Sequence, residues 1–193
     1  MSPVSTQRHC AFLTLEERGN WVIDDEVAIP AIESAGWTVS VIPWTRSELD
    51  WHQFELVIVR STWDYWDSPD HFFNTLETID QQTHLANPLA LMRWNLRKTY
   101  LRDLEQAGVA IVPTRFIGAL RAGDLASAQR EHAATGWVLK PQLGASGIDA
   151  FLFQSDRQPV GEALDRLAGK AVMIQGPDGA IGADSWATVF RQV

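Results

Sequence analysis

Apolar residues along the chain fall into two rhythms. CAFLTL (10–15), WTVSVIPW (37–44) and FELVIVRS (54–61) are short runs rich in β-branched and aromatic residues, and each is predicted as a strand. The four apolar residues Leu56 to Val59 imply a strand covered on both faces. Between the runs, DDEVAIPAIESAG (24–36) carries acids in its first turn and a glycine stop, the pattern of a helix. Asp70 to Asp80 is predicted as a second helix, with Ser68-Pro69 as its start signal. This alternation is the signature of βαβ units on a mostly parallel sheet, so the fold class is α/β.

Past HLANP (84–88) the character changes. Leu89 to Gly108 is read as one helical stretch, with apolar positions at Leu96, Tyr100, Leu101 and Leu104 and a glycine stop. VPTRFI (112–117), GWVLKP (136–141), AFLFQ (150–154) and AVMIQ (171–175) are predicted strands. Asp124 to Thr135 and Val160 to Leu167 are the helices between them. A domain boundary is placed near Pro88, giving a first domain 1–88, a second 89–170 and a final segment 171–193.

Composition narrows the function classes. The formal charge of −8, with 24 acidic against 16 basic residues and no basic run, disfavours a nucleic acid partner. No apolar stretch approaches the roughly 18 residues of a membrane span, and the N-terminus lacks a cationic start followed by an apolar run. The lone Cys10 sits in an apolar run with no second thiol to pair, which fits a reducing compartment. The expectation is a cytoplasmic protein.

Three segments could carry chemistry. In WVLKPQLGASGIDAFLF (137–153) a strand ends at Lys140-Pro141 and a loop with Gly144, Ser146 and Gly147 follows. Glycines let backbone N–H groups approach phosphate oxygens, and the lysine adds a point charge. A β-hairpin with an exposed lysine explains the same residues. Arg93, Arg97 and Lys98 cluster on an otherwise acidic chain and suit a specific anion; a solvated helix face pairing with Asp103 and Glu105 suits them equally. Arg60, Ser61, Thr62, Trp63 and Asp64 follow a predicted central strand, at the end where open α/β sheets place ligand loops. With nine tryptophans in the chain, Trp63, Tyr65 and Trp66 also read as cover for the core edge.

Taken together these segments resemble the ATP-grasp superfamily. The features are Lys98 ahead of a helix ending in Ala-Gly, a Pro-Thr strand, Lys140 in Val-Leu-Lys-Pro with its small-residue loop, and the strand Val172-Met173-Ile174-Gln175. VIVRSTWDYWDSPDHF (57–72), LANP and RWN are similar to the N-terminal half of glutathione-synthetase-like and cycloserine-biosynthesis-type ligases. The resemblance implies a Rossmann-like pre-ATP-grasp domain, then the N-terminal α+β subdomain of the ATP-grasp fold and the start of a C-terminal subdomain. It implies an ATP-dependent carboxylate–amine ligase working through an acyl phosphate. Lys98 would meet the α-phosphate side of ATP, Lys140 the α/β-phosphates, and the loop from Gln142 to Ile148 would close over the γ-phosphate. Met173, Ile174 and Gln175 would form the hinge that reads the adenine edge, with Val138 as a wall. Arg60 would clamp a substrate carboxylate, with Ser61, Thr62, Trp63 and Asp64 beside it.

The chain departs from that pattern after Gln175. The family's Mg²⁺ is expected, but its acidic and asparagine ligands are not identifiable: Asp178 and Asp184 are the only acids after the hinge, and neither lies in a Glu-x-Asn arrangement. No metal ligand is therefore assigned. SWATVF (185–190) reads as the first strand of a subdomain otherwise missing, so a truncated chain is expected, with an exposed sheet edge open to homo-oligomer formation. The alternative is a non-catalytic module that binds a small molecule or depends on a partner chain. An NAD-type oxidoreductase is disfavoured because no G-x-G-x-x-G follows the first strand, and a serine hydrolase because no G-x-S-x-G occurs.

Overall fold

Cys10 to Leu13 are four consecutive buried residues, and they mark the middle of the first of two sheets in the computed structural model. The structure describes residues 8–46, 48–132, 136–145, 147–153 and 160–176. The chain divides into two units, residues 1–93 and 94–193, each with its own sheet.

The first unit runs β1 (Arg8–Thr14), α1 (Asp25–Ser34), β2 (Trp37–Pro43), β3 (Leu56–Ser61), α2 (Pro69–Gln82) and β4 (His84–Ala86). Its strands are all parallel, in the order β2-β1-β3-β4. The expectation that β3 is covered on both faces is corrected: Val57 is fully buried, but its neighbours Leu56, Ile58 and Val59 are only partly so. The unbroken buried run belongs instead to β1, which β2 accompanies along its whole length, whereas β4 reaches only Leu56 to Ile58 of β3. β4 pairs with β3 through only three residues, too short a run to stand out between a helix and a turn. Pro69 opens α2 as anticipated, and Phe72, Phe73, Leu76 and Ile79 bury one stripe of it.

The helical stretch from Leu89 to Gly108 is two helices, α3 (Leu89–Asn95) and α4 (Tyr100–Gln106), rather than one. The cause is visible at the break. The Lys98 backbone N–H donates to the Gln142 carbonyl at 2.7 Å, a distant partner taken in place of one on its own helix. Trp94 Nε1 donates to Asp103 at 2.7 Å, and the Trp94 ring lies 5.2 Å from Tyr100, so the two helices are tied across the break.

The second unit continues with β5 (Thr114–Ile117), α5 (Ala122–Glu131), β6 (Trp137–Pro141), β7 (Phe151–Phe153), α6 (Gly161–Leu167) and β8 (Val172–Gln175). The order is β5-β8-β6-β7 and every pairing is antiparallel, in keeping with the α+β subdomain that the resemblance implies for this half. β6 and β7 are joined directly by a loop with no helix in it, whereas a parallel partner needs a crossover of a dozen residues or more. Trp137, Leu139, Val172 and Ile174 turn to one face and form a core with Leu125, Ala163 and Leu167 from the two helices. Val138, Lys140, Met173 and Gln175 therefore share the opposite face, because Val138 pairs with Gln175 and Lys140 with Met173. The strand expected at 185–190 and the acids Asp178 and Asp184 lie outside the described residues.

Candidate functional site

Lys140 lies on the face of the second sheet opposite the hydrophobic core and is only 7% exposed. A hairpin does form here, but its lysine is buried rather than projecting into solvent. No carboxylate among the described residues pairs with Lys140. Burial first, and the nearby charge of Lys98 second, lower its pKa from the ordinary 10.5 to about 8. Lys98 is lowered as well, through burial. The structure therefore brings the two lysines together, although 42 positions separate them (140 − 98).

The loop after β6 is fixed at both ends. Gln142 is buried, and its side-chain amide donates to the carbonyls of Ile117 at 3.0 Å and Val172 at 2.8 Å, strapping β5 and β8 together beneath the loop. Its backbone carbonyl takes the Lys98 N–H, and the Lys98 ammonium donates to the Gly144 carbonyl at 2.6 Å. Lys98 is thus held to the loop by both its main chain and its side chain. Gly147 has φ 72°, the left-handed region that glycine occupies without strain, and hydrogen bonds from Ile148 to Ala145 and from Ala150 to Gly147 turn the chain back into β7. At the far end, the Asp149 carboxylate pairs with Arg166 and with Lys170. Ser146 lies outside the described residues.

The hinge residues divide between two faces. Ile174 belongs to the hydrophobic core, while Met173 and Gln175 lie on the face that carries Lys140. Buried Lys140 and half-buried Lys98, with no paired acid among the described residues and a glycine-bearing loop beside them, form a site short of negative charge. Placing an anion there would restore the charge balance that burial has cost.

The first unit treats its charged residues differently. Arg60 Nε donates to Asp25 Oδ1 at 2.7 Å, and its Nη2 reaches Asp24 at 3.4 Å. Ser61 Oγ donates to Asp25 Oδ2 at 2.6 Å and lies 3.0 Å from Thr14 Oγ1. Asp25 is 3% exposed, and both of its oxygens are occupied. Asp64 accepts from Trp44 Nε1 at 2.6 Å and from the Glu16 N–H at 3.2 Å. Thr62 is buried, and the Trp63 ring packs 5.5 Å from Trp21. The cluster stands at the C-terminal ends of β1 and β3, the two central strands. Two residues in these clusters escaped the sequence reading as organisers: Asp25, whose acid looked like an ordinary first-turn residue, and Gln142, whose strapping role has no sequence signal.

No group of three or more His, Cys, Asp or Glu side chains among the described residues could hold a metal ion. No described helix is long and apolar enough to cross a membrane.

Residues 10–87 match the family described as D-cycloserine synthetase DcsG, N-terminal domain. The chain is 30% identical over 172 residues to the cycloserine biosynthesis protein DcsG of Streptomyces lavendulae, an alignment covering 80% of this chain and 57% of that protein. Among solved structures it is similar to D-cycloserine synthetase DcsG, with TM-score 0.72 and 28% identity over 91% of this chain and 61% of the other. A RimK-domain ATP-grasp protein from Sphaerobacter thermophilus matches with TM-score 0.64 and 17% identity, over 88% and 64% of the two chains. The carboxyaminoimidazole ribonucleotide synthase of Aspergillus clavatus, solved with ATP, matches with TM-score 0.65 and 11% identity, over 90% and 48%. The chain thus spans about three-fifths of the cycloserine-pathway proteins it matches. It resembles them in sequence and shares the fold of the N-terminal portion of ATP-grasp ligases.

Proposed function

We propose that this chain, built like the N-terminal portion of ATP-grasp ligases, binds ATP in its second unit and serves a ligase that joins a small carboxylic acid to an amine. One observation carries the reading: Lys140 is buried without an acidic partner among the described residues, beside Lys98 and the Gly144 loop. A triphosphate supplies the negative charge that this pair lacks. The domain roles follow the resemblance, with residues 1–88 on the substrate side, 89–170 contributing the lysines and 171–193 beginning with the hinge.

The residues would divide the work. Lys98, held to the loop, would meet the α-phosphate side, and Lys140 the α/β-phosphates. The backbone from Gln142 to Ile148, with Gly144, Ser146 and Gly147, would cover the γ-phosphate. Met173 and Gln175 would present the hinge on the nucleotide face, while Ile174 anchors that strand to the core. In such a ligase ATP activates a carboxylate as an acyl phosphate, which the amine then attacks. The protein's share is to align and neutralise the phosphates before reaction. Arg60 would offer a substrate carboxylate the part of its guanidinium that Asp25 leaves free; its side chain is 37% exposed. Magnesium, expected from the resemblance, has no ligand set among the described residues, and no step is assigned to it.

Calorimetric titration with ATP, with and without Mg²⁺, tests the reading. Saturable binding that Lys140→Met weakens at least tenfold supports it. Absence of ATP binding by the unaltered chain, or binding that Lys140→Met leaves unchanged, overturns it.

A further inference from the structure

The glycine loop between β6 and β7 is fastened at both ends to one stretch of chain. At its start the Gln142 N–H donates to the Ala171 carbonyl at 3.0 Å, and the Gln142 side-chain amide donates to the Val172 carbonyl at 2.8 Å. At its end the Asp149 carboxylate pairs with Arg166, in the last turn of α6, and with Lys170 at 3.8 Å, in the turn that leads into β8. That turn is itself fixed, because the Leu120 N–H donates to the Lys170 carbonyl and the Gly169 N–H donates to the Leu120 carbonyl, both at 3.0 Å. The stretch from Arg166 to Val172 is therefore a common footing for the two ends of the loop.

The backbone at Asp149 does not call for an aspartate. Its φ is 58°, the left-handed region that glycine occupies freely and that aspartate is one of the few other residues to tolerate. A glycine would serve the turn as well, as Gly147 does two residues earlier at φ 72°. What the aspartate adds is a carboxylate, and that side chain is only 15% exposed, with a cation paired to each of its oxygens. Its presence is explained by what it holds. We infer that Asp149 is a positioning residue of the nucleotide site, which through Arg166 pins the far end of the glycine loop and so sets the reach of the loop's backbone toward the terminal phosphate of a triphosphate. The inference rests on the ATP reading above and deepens it. A diphosphate lacks the group that the loop would cover, so freeing the pinned end costs the preorganisation that ATP uses and ADP does not.

The test measures ATP and ADP binding by calorimetry on the full chain. Asp149→Gly keeps the left-handed backbone and removes only the carboxylate; it should weaken ATP about tenfold and ADP less than about twofold. Asp149→Asn, which keeps the shape of the side chain without its charge, should lie between this variant and the unaltered protein. Arg166→Met should weaken ATP by a similar factor, and combining it with Asp149→Gly should cause little further loss, because the two substitutions break one interaction. ADP binding at close to its original strength shows that each variant is folded. An ATP affinity that Asp149→Gly leaves unchanged, or a loss shared equally by ATP and ADP, overturns the role of Asp149 and leaves the ATP reading standing. Losses that multiply in the double variant overturn its action through Arg166. If neither nucleotide binds the unaltered chain, the ATP reading itself falls.

Discussion

Each unit of this protein buries a charged side chain on or beside its sheet, and the two are handled in opposite ways. In the first unit Asp25 is closed in by Arg60 and Ser61, and both of its oxygens are used. In the second, Lys140 is as deeply placed but has no acid among the described residues, and its nearest charged influence is a second lysine. Burying a charge is tolerable when partners replace its water. Asp25 therefore fastens α1 to the end of β3, whereas no acid among the described residues offsets the charge of Lys140. Residue type alone does not draw this distinction, since Arg60, Ser61 and Asp64 look as chemically capable as the lysines.

The contrast can be broken by removing each charge. Asp25→Ala leaves Arg60 and Ser61 without their acceptor and should destabilise the protein by about 3 kcal/mol, read from urea unfolding. A loss below about 1 kcal/mol would mean that the cluster is not a fastener. Lys140→Met should act with the opposite sign, raising stability by about 1 kcal/mol because an unpaired buried cation is exchanged for an apolar side chain of similar length. The same substitution should cost the at least tenfold in ATP affinity already stated, so stability gained and binding lost go together.

pH sharpens the comparison further. The folded-state pKa of Lys140, about 8, lies below its ordinary value of 10.5. Between those values the unfolded chain binds a proton that the folded chain has released, so stability should rise as pH climbs from about 8 towards 10.5. Unfolding midpoints measured across that window should lose most of this slope in Lys140→Met. Nucleotide affinity should move the other way, falling above about pH 8 as the lysine loses its charge. The smallest effect is expected at Asp24, the exposed neighbour that also reaches Arg60, where Asp24→Ala should change stability by less than about 0.5 kcal/mol. A larger loss there would show that Arg60 depends on both acids.

Much of the fold was legible along the chain. The strands at 37–43, 56–61, 137–141 and 172–175 and the helices at 25–34 and 69–82 stand within two residues of where periodicity places them. The break at Lys98 was not, because its cause is a hydrogen bond to Gln142, a residue 44 positions away (142 − 98). The antiparallel pairing of the second sheet was implied by the resemblance and not by the apolar pattern, for a related reason. Strand–helix alternation reports which segments are apolar and says nothing about which edges meet. At the candidate sites, the lysines and the glycine loop were visible as residue types, while the ties made by Asp25, Gln142 and Asp149 were not.

By itself, then, the sequence determined the two rhythms, the element order, the acidic surface that leaves a few cations conspicuous, and the likeness to ATP-grasp ligases. Only the tertiary structure decided which of those cations lacks a partner. Local spacing allowed Lys98 and its neighbours to pair with acids on their own helix, and allowed Lys140 to be an exposed hairpin residue. Packing placed Lys140 on a covered sheet face with Lys98 beside it and gave Arg60 to Asp25. Charge on a side chain is a property of the residue, but whether that charge is satisfied depends on groups brought near it from elsewhere in the chain.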